Sequence, residues 1–120
     1  MAKRKRKQPR RKPDPAPVRE YTDSEGNVLA LRLSLTPATI RRISETWGNA
    51  AASREDAWHR RHEMLFEYLA VSWTIAGLDP ITDQAMLLGR YRLASQAEQD
   101  WVRSTIATHV DEFFPELEAP

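Results

Sequence analysis

Leu29 to Asp56 reads LALRLSLTPATIRRISETWGNAAASRED. Leu29, Leu31, Leu33 and Leu35 recur at every second position, with Ala30, Arg32 and Ser34 between them, which is the pattern of a half-buried strand. The period then changes. Thr36-Pro37 is an N-cap followed by a first helical residue, and Ile40, Ile43 and Trp47 follow at helical spacing up to a stop at Gly48. Ser53, with Asp56 three residues on, caps a second helix after the loop GNAAA. The stretch thus predicts strand, helix, glycine turn, helix.

Upstream, DSEGN (Asp23–Asn27) has the chemistry of a tight turn, because Gly26 and Asn27 tolerate a positive φ. A hairpin from Val18–Thr22 to Val28–Leu35 is expected. Downstream, helix two is expected from Arg54 to about Ala76, since Met64–Leu78 (MLFEYLAVSWTIAGL) is apolar nearly all round and Gly77 would end it. Asp79-Pro80 repeats the cap-and-proline signal for helix three. Ile81, Ala85, Leu88 and Tyr91 give that helix a core face, widened by Met86, Leu87 and Leu93. Ser95 and Glu98 form a capping box for helix four, which carries Trp101, Val102, Ile106, Val110, Phe113 and Leu117 and ends at Pro115.

The expected fold is therefore mainly α. It has an N-terminal strand or short hairpin, then a four-helix core, and a disordered basic arm in front. The arm is expected over 1–19 and one small domain over 20–120. Met64–Leu78 contains Glu67 and is shorter than the ~20 residues of a membrane span. The basic start is not followed by a secretory apolar run. A cytoplasmic protein with no membrane partner is expected.

Charge divides the 120 residues unequally. Eight of the eighteen basic side chains lie within residues 1–13: Lys3, Arg4, Lys5, Arg6, Lys7, Arg10, Arg11 and Lys12. No acid accompanies them, so 14–120 hold ten basic against seventeen acidic residues, a net of −7. Pro9, Pro13, Pro15 and Pro17 interrupt the cations, and such a segment cannot bury apolar surface. An unaccompanied polycation neutralises phosphates and releases their counterions, so it binds nucleic acid without reading sequence. Within the body, 32–62 carry six arginines against three acids, whereas 63–120 carry three against ten. Contacts beyond the arm are expected at Arg32, Arg41, Arg42, Ser53 and Arg54.

The order in Leu29–Asp56 resembles the ribbon-helix-helix pattern of dimeric DNA-binding regulators, over about a quarter of the chain. The resemblance implies that Arg32 and Ser34 face the bases from the strand. It also implies that Ser53 and Arg54 meet a phosphate at the second helix's N-terminus.

Other chemistry is less well provided for. Without cysteine there is no disulfide framework, thiolate nucleophile or zinc knuckle, and the four glycines are too dispersed to cradle a phosphate. WHRRHE (Trp58–Glu63) puts Glu55, His59 and His62 on one side of a helix. The expectation there is a solvated His59 and a His62 packed edge-on to the core, with no metal and no cofactor. GRYR (Gly89–Arg92) sets Arg90 and Arg92 about 200° apart on a helix, so they go to separate partners and Tyr91 goes to the core. The four tryptophans, Trp47, Trp58, Trp73 and Trp101, are expected as bulk core, with Trp58, beside His59 and two arginines, the one to check for exposure. No serine–histidine pair has a supporting glycine turn, so no catalytic residue is expected. The function expected is a small non-catalytic nucleic-acid-associated protein. The alternative is a helical interaction module, with an acidic docking face, that pairs with another protein or with a second copy.

Overall fold

A computed structural model describes residues 17–47 and 54–117. The element order is β1 (Val18–Thr22), β2 (Val28–Arg32), α1 (Pro37–Trp47), α2 (Arg54–Leu69), β3 (Ala70–Thr74), α3 (Gln84–Arg92) and α4 (Gln96–Phe113), closed by a 3-10 turn at Pro115–Leu117. The expectations for the arm up to residue 16, for the GNAAA loop and for Ser53 fall outside the described residues.

The hairpin forms where the turn chemistry places it. Asp23 Oδ1 accepts from the backbone N–H of Glu25 and Asn27, and Gly26 adopts φ +85°. Asn27 is buried, and its side-chain oxygen accepts from Ala76 N–H at 2.9 Å, which ties the turn to the end of β3. Val18 and Arg19 belong to β1, opposite Arg32 and Leu31, so the folded body begins earlier than residue 20.

The largest departure from expectation is β3. Helix α2 stops at Leu69 rather than near Ala76, and the chain passes straight into a strand antiparallel to β2. Val71, Trp73, Thr74 and Ile75 are β-branched or aromatic, and side chains of that shape pack well on a pleated surface. The register shifts between Ala30 and Leu31, leaving Val71 as the extra residue of a bulge. Gly77, at φ +85°, serves the turn after β3 instead of a helix end. Ile81 then pairs with Trp73 through two backbone bonds of 2.9 and 3.0 Å, and α3 starts only after its N-cap, Asp83, rather than at Asp79-Pro80.

The sheet order β1-β2-β3 makes β2 the central strand, with both edges hydrogen-bonded inside the chain. In a two-stranded ribbon shared between two chains the resembling strand needs a free edge, and β2 has none, so the ribbon-helix-helix likeness does not extend to the fold. The core accordingly joins sheet and helices. Leu29, Leu31 and Trp73 pack with Ile43 of α1, Phe66 and Leu69 of α2, Tyr91 of α3, and Val102, Ile106 and Val110 of α4. Tyr91 stacks on Phe66 with ring centroids 4.9 Å apart. Met86 and Leu93, expected on the core face of helix three, are 63% and 87% exposed.

Two further local signals act as read. Thr36 Oγ1 accepts from Thr39 N–H at the start of α1. Ser95 and Glu98 form both bonds of the capping box on α4.

Candidate nucleic-acid interface

Arg32 closes β2, and its side chain lines a cleft of about 370 Å³. The rest of the lining is Ser34, Leu35, Thr36 and Thr39 from the strand exit and the first turn of α1, Glu67 and Tyr68 from the end of α2, and Gln84 from the start of α3. The Gln84 side-chain amide donates to the Glu67 carbonyl, which fastens α3 to α2 along one side of the cleft. The lining combines a guanidinium, four hydroxyls and one carboxylate, and so suits a polar ligand.

The expected contact residues are only partly brought together. Arg32 and Ser34 share the cleft. Arg42 lies one helical turn beyond Thr39 but does not line the cleft, and Arg41 is rotated about 200° from Thr39 to another face. Arg54 opens α2 at the end opposite Glu67, about 20 Å away at 1.5 Å per residue.

Ion pairs hold the three arginines of the acidic half. Arg90 makes a two-point contact with Glu98, with bonds of 2.8 and 3.4 Å, and Arg92 does the same with Glu63 at 2.9 and 3.1 Å. These guanidinium bonds hold both carboxyls below their ordinary range. Arg103 pairs with Asp100, and Arg19 lies 3.6 Å from Glu112. Arg32, Arg41 and Arg60 form no ion pair among the described residues. The expectation of separate partners for Arg90 and Arg92, with Tyr91 buried between them, is met.

The histidines take three different roles. His59 is exposed, 3.9 Å from Glu55. His62 is half-buried and directs Nδ1 to the Trp58 carbonyl at 2.8 Å, and burial pushes it below the usual imidazole range. Among the described residues no three histidine or carboxylate side chains gather as metal ligands. His109 was not singled out by the sequence, yet it is fully buried. Its Nε2–H donates to the Arg32 carbonyl at 2.7 Å, and its Nδ1 accepts from the Tyr21 hydroxyl at 2.7 Å. One ring therefore ties α4 to both β1 and β2. Burial holds His109 neutral by lowering its pKa, reinforced by nearby Arg19 and opposed by the Arg32 bond and Glu112. Spacing could not reveal this link, because its partners lie 88 and 77 residues away in sequence.

No protein family, curated protein or solved structure matches the chain. Among the described residues, no helix is long and apolar enough to cross a membrane.

Proposed function

We propose that this chain is a small, non-catalytic, nucleic-acid-associated protein of the cytoplasm, held to phosphate backbone by the cations of residues 3–12. The observation that carries the reading is the run of eight basic side chains with no acid among them. Each phosphate contact releases condensed counterions, so binding of this kind is strong at low salt and independent of sequence. Two features of the body support it. The arginines nearest the acidic helices are occupied by Glu63, Glu98, Asp100 and Glu112. Arg32 and Arg41, on the basic half, have no carboxylate partner among the described residues and remain available to phosphate. The test replaces Lys3, Arg4, Lys5, Arg6 and Lys7 by Gln in the full chain and titrates duplex and single-stranded oligonucleotides. Binding should weaken for both, with a flatter salt dependence. Equal binding by parent and variant would refute the reading.

A second reading has its own support. Leu78, Met86 and Leu93 are 67%, 63% and 87% exposed on and beside α3. Met86 and Leu93 are seven residues apart, which puts them on one side of the helix. Exposed apolar side chains flanked by Asp79 and Asp83 suit a protein partner with a basic, apolar surface. A complex that persists after the arm is neutralised and is lost in Met86→Ser/Leu93→Ser would favour this reading.

A further inference from the structure

The chain enters the sheet beside the Arg32 cleft. The Pro17 carbonyl accepts from Leu33 N–H at 3.0 Å, and Val18 lies opposite Arg32 across the β1–β2 ladder. Five residues separate Pro17 from Lys12, the last cation of the basic run, so that charge is at most about 18 Å from Pro17 even on a fully extended chain. A strand of nucleic acid held by residues 3–12 therefore has the cleft within reach.

The polar groups of the cleft divide into two sets. The Thr36 and Thr39 hydroxyls bond to each other at 2.9 Å, and Thr36 Oγ1 also accepts from Thr39 N–H, so both serve the start of α1. The Arg32 guanidinium, the Ser34 and Tyr68 hydroxyls and the Glu67 carboxylate make no hydrogen bond or ion pair among the described residues. Arg32 and Glu67 thus line one cleft without pairing, a cation from the strand and an anion from the helix. Glu67 lies in the last turn of α2, where the carbonyl ends of a helix disfavour a carboxylate. Arg92 is close enough to feel its charge, but the Arg92 hydrogen bonds go to Glu63. Helix electrostatics therefore do not account for an acid at this position.

We infer that this cleft receives one ribonucleotide of a single-stranded RNA held by the arm, with its phosphate at Arg32 and its ribose 2′-hydroxyl donating to the Glu67 carboxylate. The inference rests on the nucleic-acid reading above and adds to it the sugar that the protein selects. A carboxylate repels phosphate but accepts from a hydroxyl. A cleft with one open cation and one open carboxylate therefore suits a unit that carries both an anion and a hydroxyl donor. A ribonucleotide within a strand is such a unit. A deoxyribonucleotide within a strand is not, because its 3′ and 5′ oxygens are esterified and no hydroxyl remains on its sugar. The volume, about 370 Å³, is at the small end for ligand sites and suits one nucleotide turned out of a stack rather than a base pair. The arm neutralises RNA and DNA phosphates alike, whereas Glu67 distinguishes their sugars.

The experiment uses the full chain and its Glu67→Ala and Arg32→Gln variants, with circular dichroism confirming that each is folded. Each is titrated with a uridine oligoribonucleotide twelve nucleotides long and with its deoxyuridine counterpart, which differ only in the 2′-hydroxyl. The parent should bind the ribo-oligonucleotide about 3- to 20-fold more tightly, the range for one net hydrogen bond. Glu67→Ala should cut that preference below about twofold by weakening RNA binding alone. Arg32→Gln should weaken both ligands and flatten the salt slope by about 0.7, the share of one phosphate on a single strand. A parent that binds the two oligonucleotides equally overturns the inference while leaving the nucleic-acid reading intact, and this comparison needs no variant. A preference that survives Glu67→Ala overturns it too, as does an equal gain on both ligands, which would make the carboxylate a mere repeller of phosphate. An Arg32→Gln variant with parental affinity and slope removes the phosphate from the cleft and overturns it as well. A parent that binds neither oligonucleotide overturns both readings.

Discussion

Replacing Tyr21 by Phe removes one oxygen atom from the link between the hairpin and α4. In the native chain the Tyr21 hydroxyl donates to Nδ1 of His109 at 2.7 Å, while the opposite ring nitrogen donates to the Arg32 carbonyl. The imidazole is fully buried. Phenylalanine keeps the edge-on contact between the two rings, whose centroids are 5.6 Å apart, so no cavity forms. It leaves the Nδ1 lone pair buried without a donor. An unsatisfied buried acceptor costs about 1–3 kcal/mol, and Tyr21 is itself partly exposed, so the loss should fall near ~1.5 kcal/mol. For a domain of this size that corresponds to a Tm lower by roughly 6–12 °C. Thermal and urea unfolding followed by circular dichroism at pH 7.5 measure it. The same link sets a pH dependence. Burial lowers the folded pKa of His109 below that of the unfolded chain, so the unfolded state takes up a proton first as pH falls. Its stabilisation is fully present above about pH 6.5 and declines as pH drops towards the folded value, by at most ~1.4 kcal/mol per pH unit. His62 is shifted in the same direction and adds to the slope, so His62→Asn isolates the His109 contribution. A Tyr21→Phe variant that melts within a degree of the parent would refute the reasoning, as would a His62→Asn variant with flat stability from pH 7.5 to 5.

The two described glycines outside the hairpin turn should respond oppositely to alanine. Gly77 has φ +85°, which an L side chain adopts only under strain, so Gly77→Ala should destabilise by about 1 kcal/mol. Gly89 lies inside α3 with nothing within 4 Å of an added Cβ, so Gly89→Ala should stabilise by about 1 kcal/mol in urea titrations. Glu98→Ala removes both the Arg90 pair and the reciprocal half of the capping box. It should cost about 1–2 kcal/mol, more than Ser95→Ala at about 1, in the same unfolding assay.

The elements legible in the sequence are those set by local chemistry. The hairpin turn needs only Asp23, Gly26 and Asn27, α1 needs Thr36-Pro37, and α4 needs Ser95 with Glu98. In each case side chain and backbone partners lie within four residues. Strand β3 was hidden because an apolar run buried on several sides has neither period 2 nor period 3.6 to declare itself. The β-branched and aromatic content of Val71–Ile75 was the available signal, and the edge of β2 then decided the conformation. Met86 and Leu93 were misplaced because the inward face of α3 is narrower than expected, burying only Leu87 and Tyr91 of the residues assigned to it. Of the interface, Arg32 with Ser34 was legible, whereas the exposure of Trp58 was not, since a tryptophan on a helix is core by default. The distance between Arg32 and Arg54, and the meeting of Arg32 with Glu67 in one cleft, are tertiary facts.

The measurement that bears most directly on the central claim is the salt dependence of duplex DNA binding by the full chain, followed by fluorescence anisotropy from 50 to 200 mM salt. Each phosphate neutralised contributes about −0.9 to the slope of log affinity against log salt, so eight arm cations fully engaged give a slope near −7. A steep slope of that order, flattened in proportion when Lys3, Arg4, Lys5, Arg6 and Lys7 are changed to Gln, is the predicted result. A slope shallower than about −2, or one that the five substitutions leave unchanged, would contradict the claim that this arm holds the protein to nucleic acid.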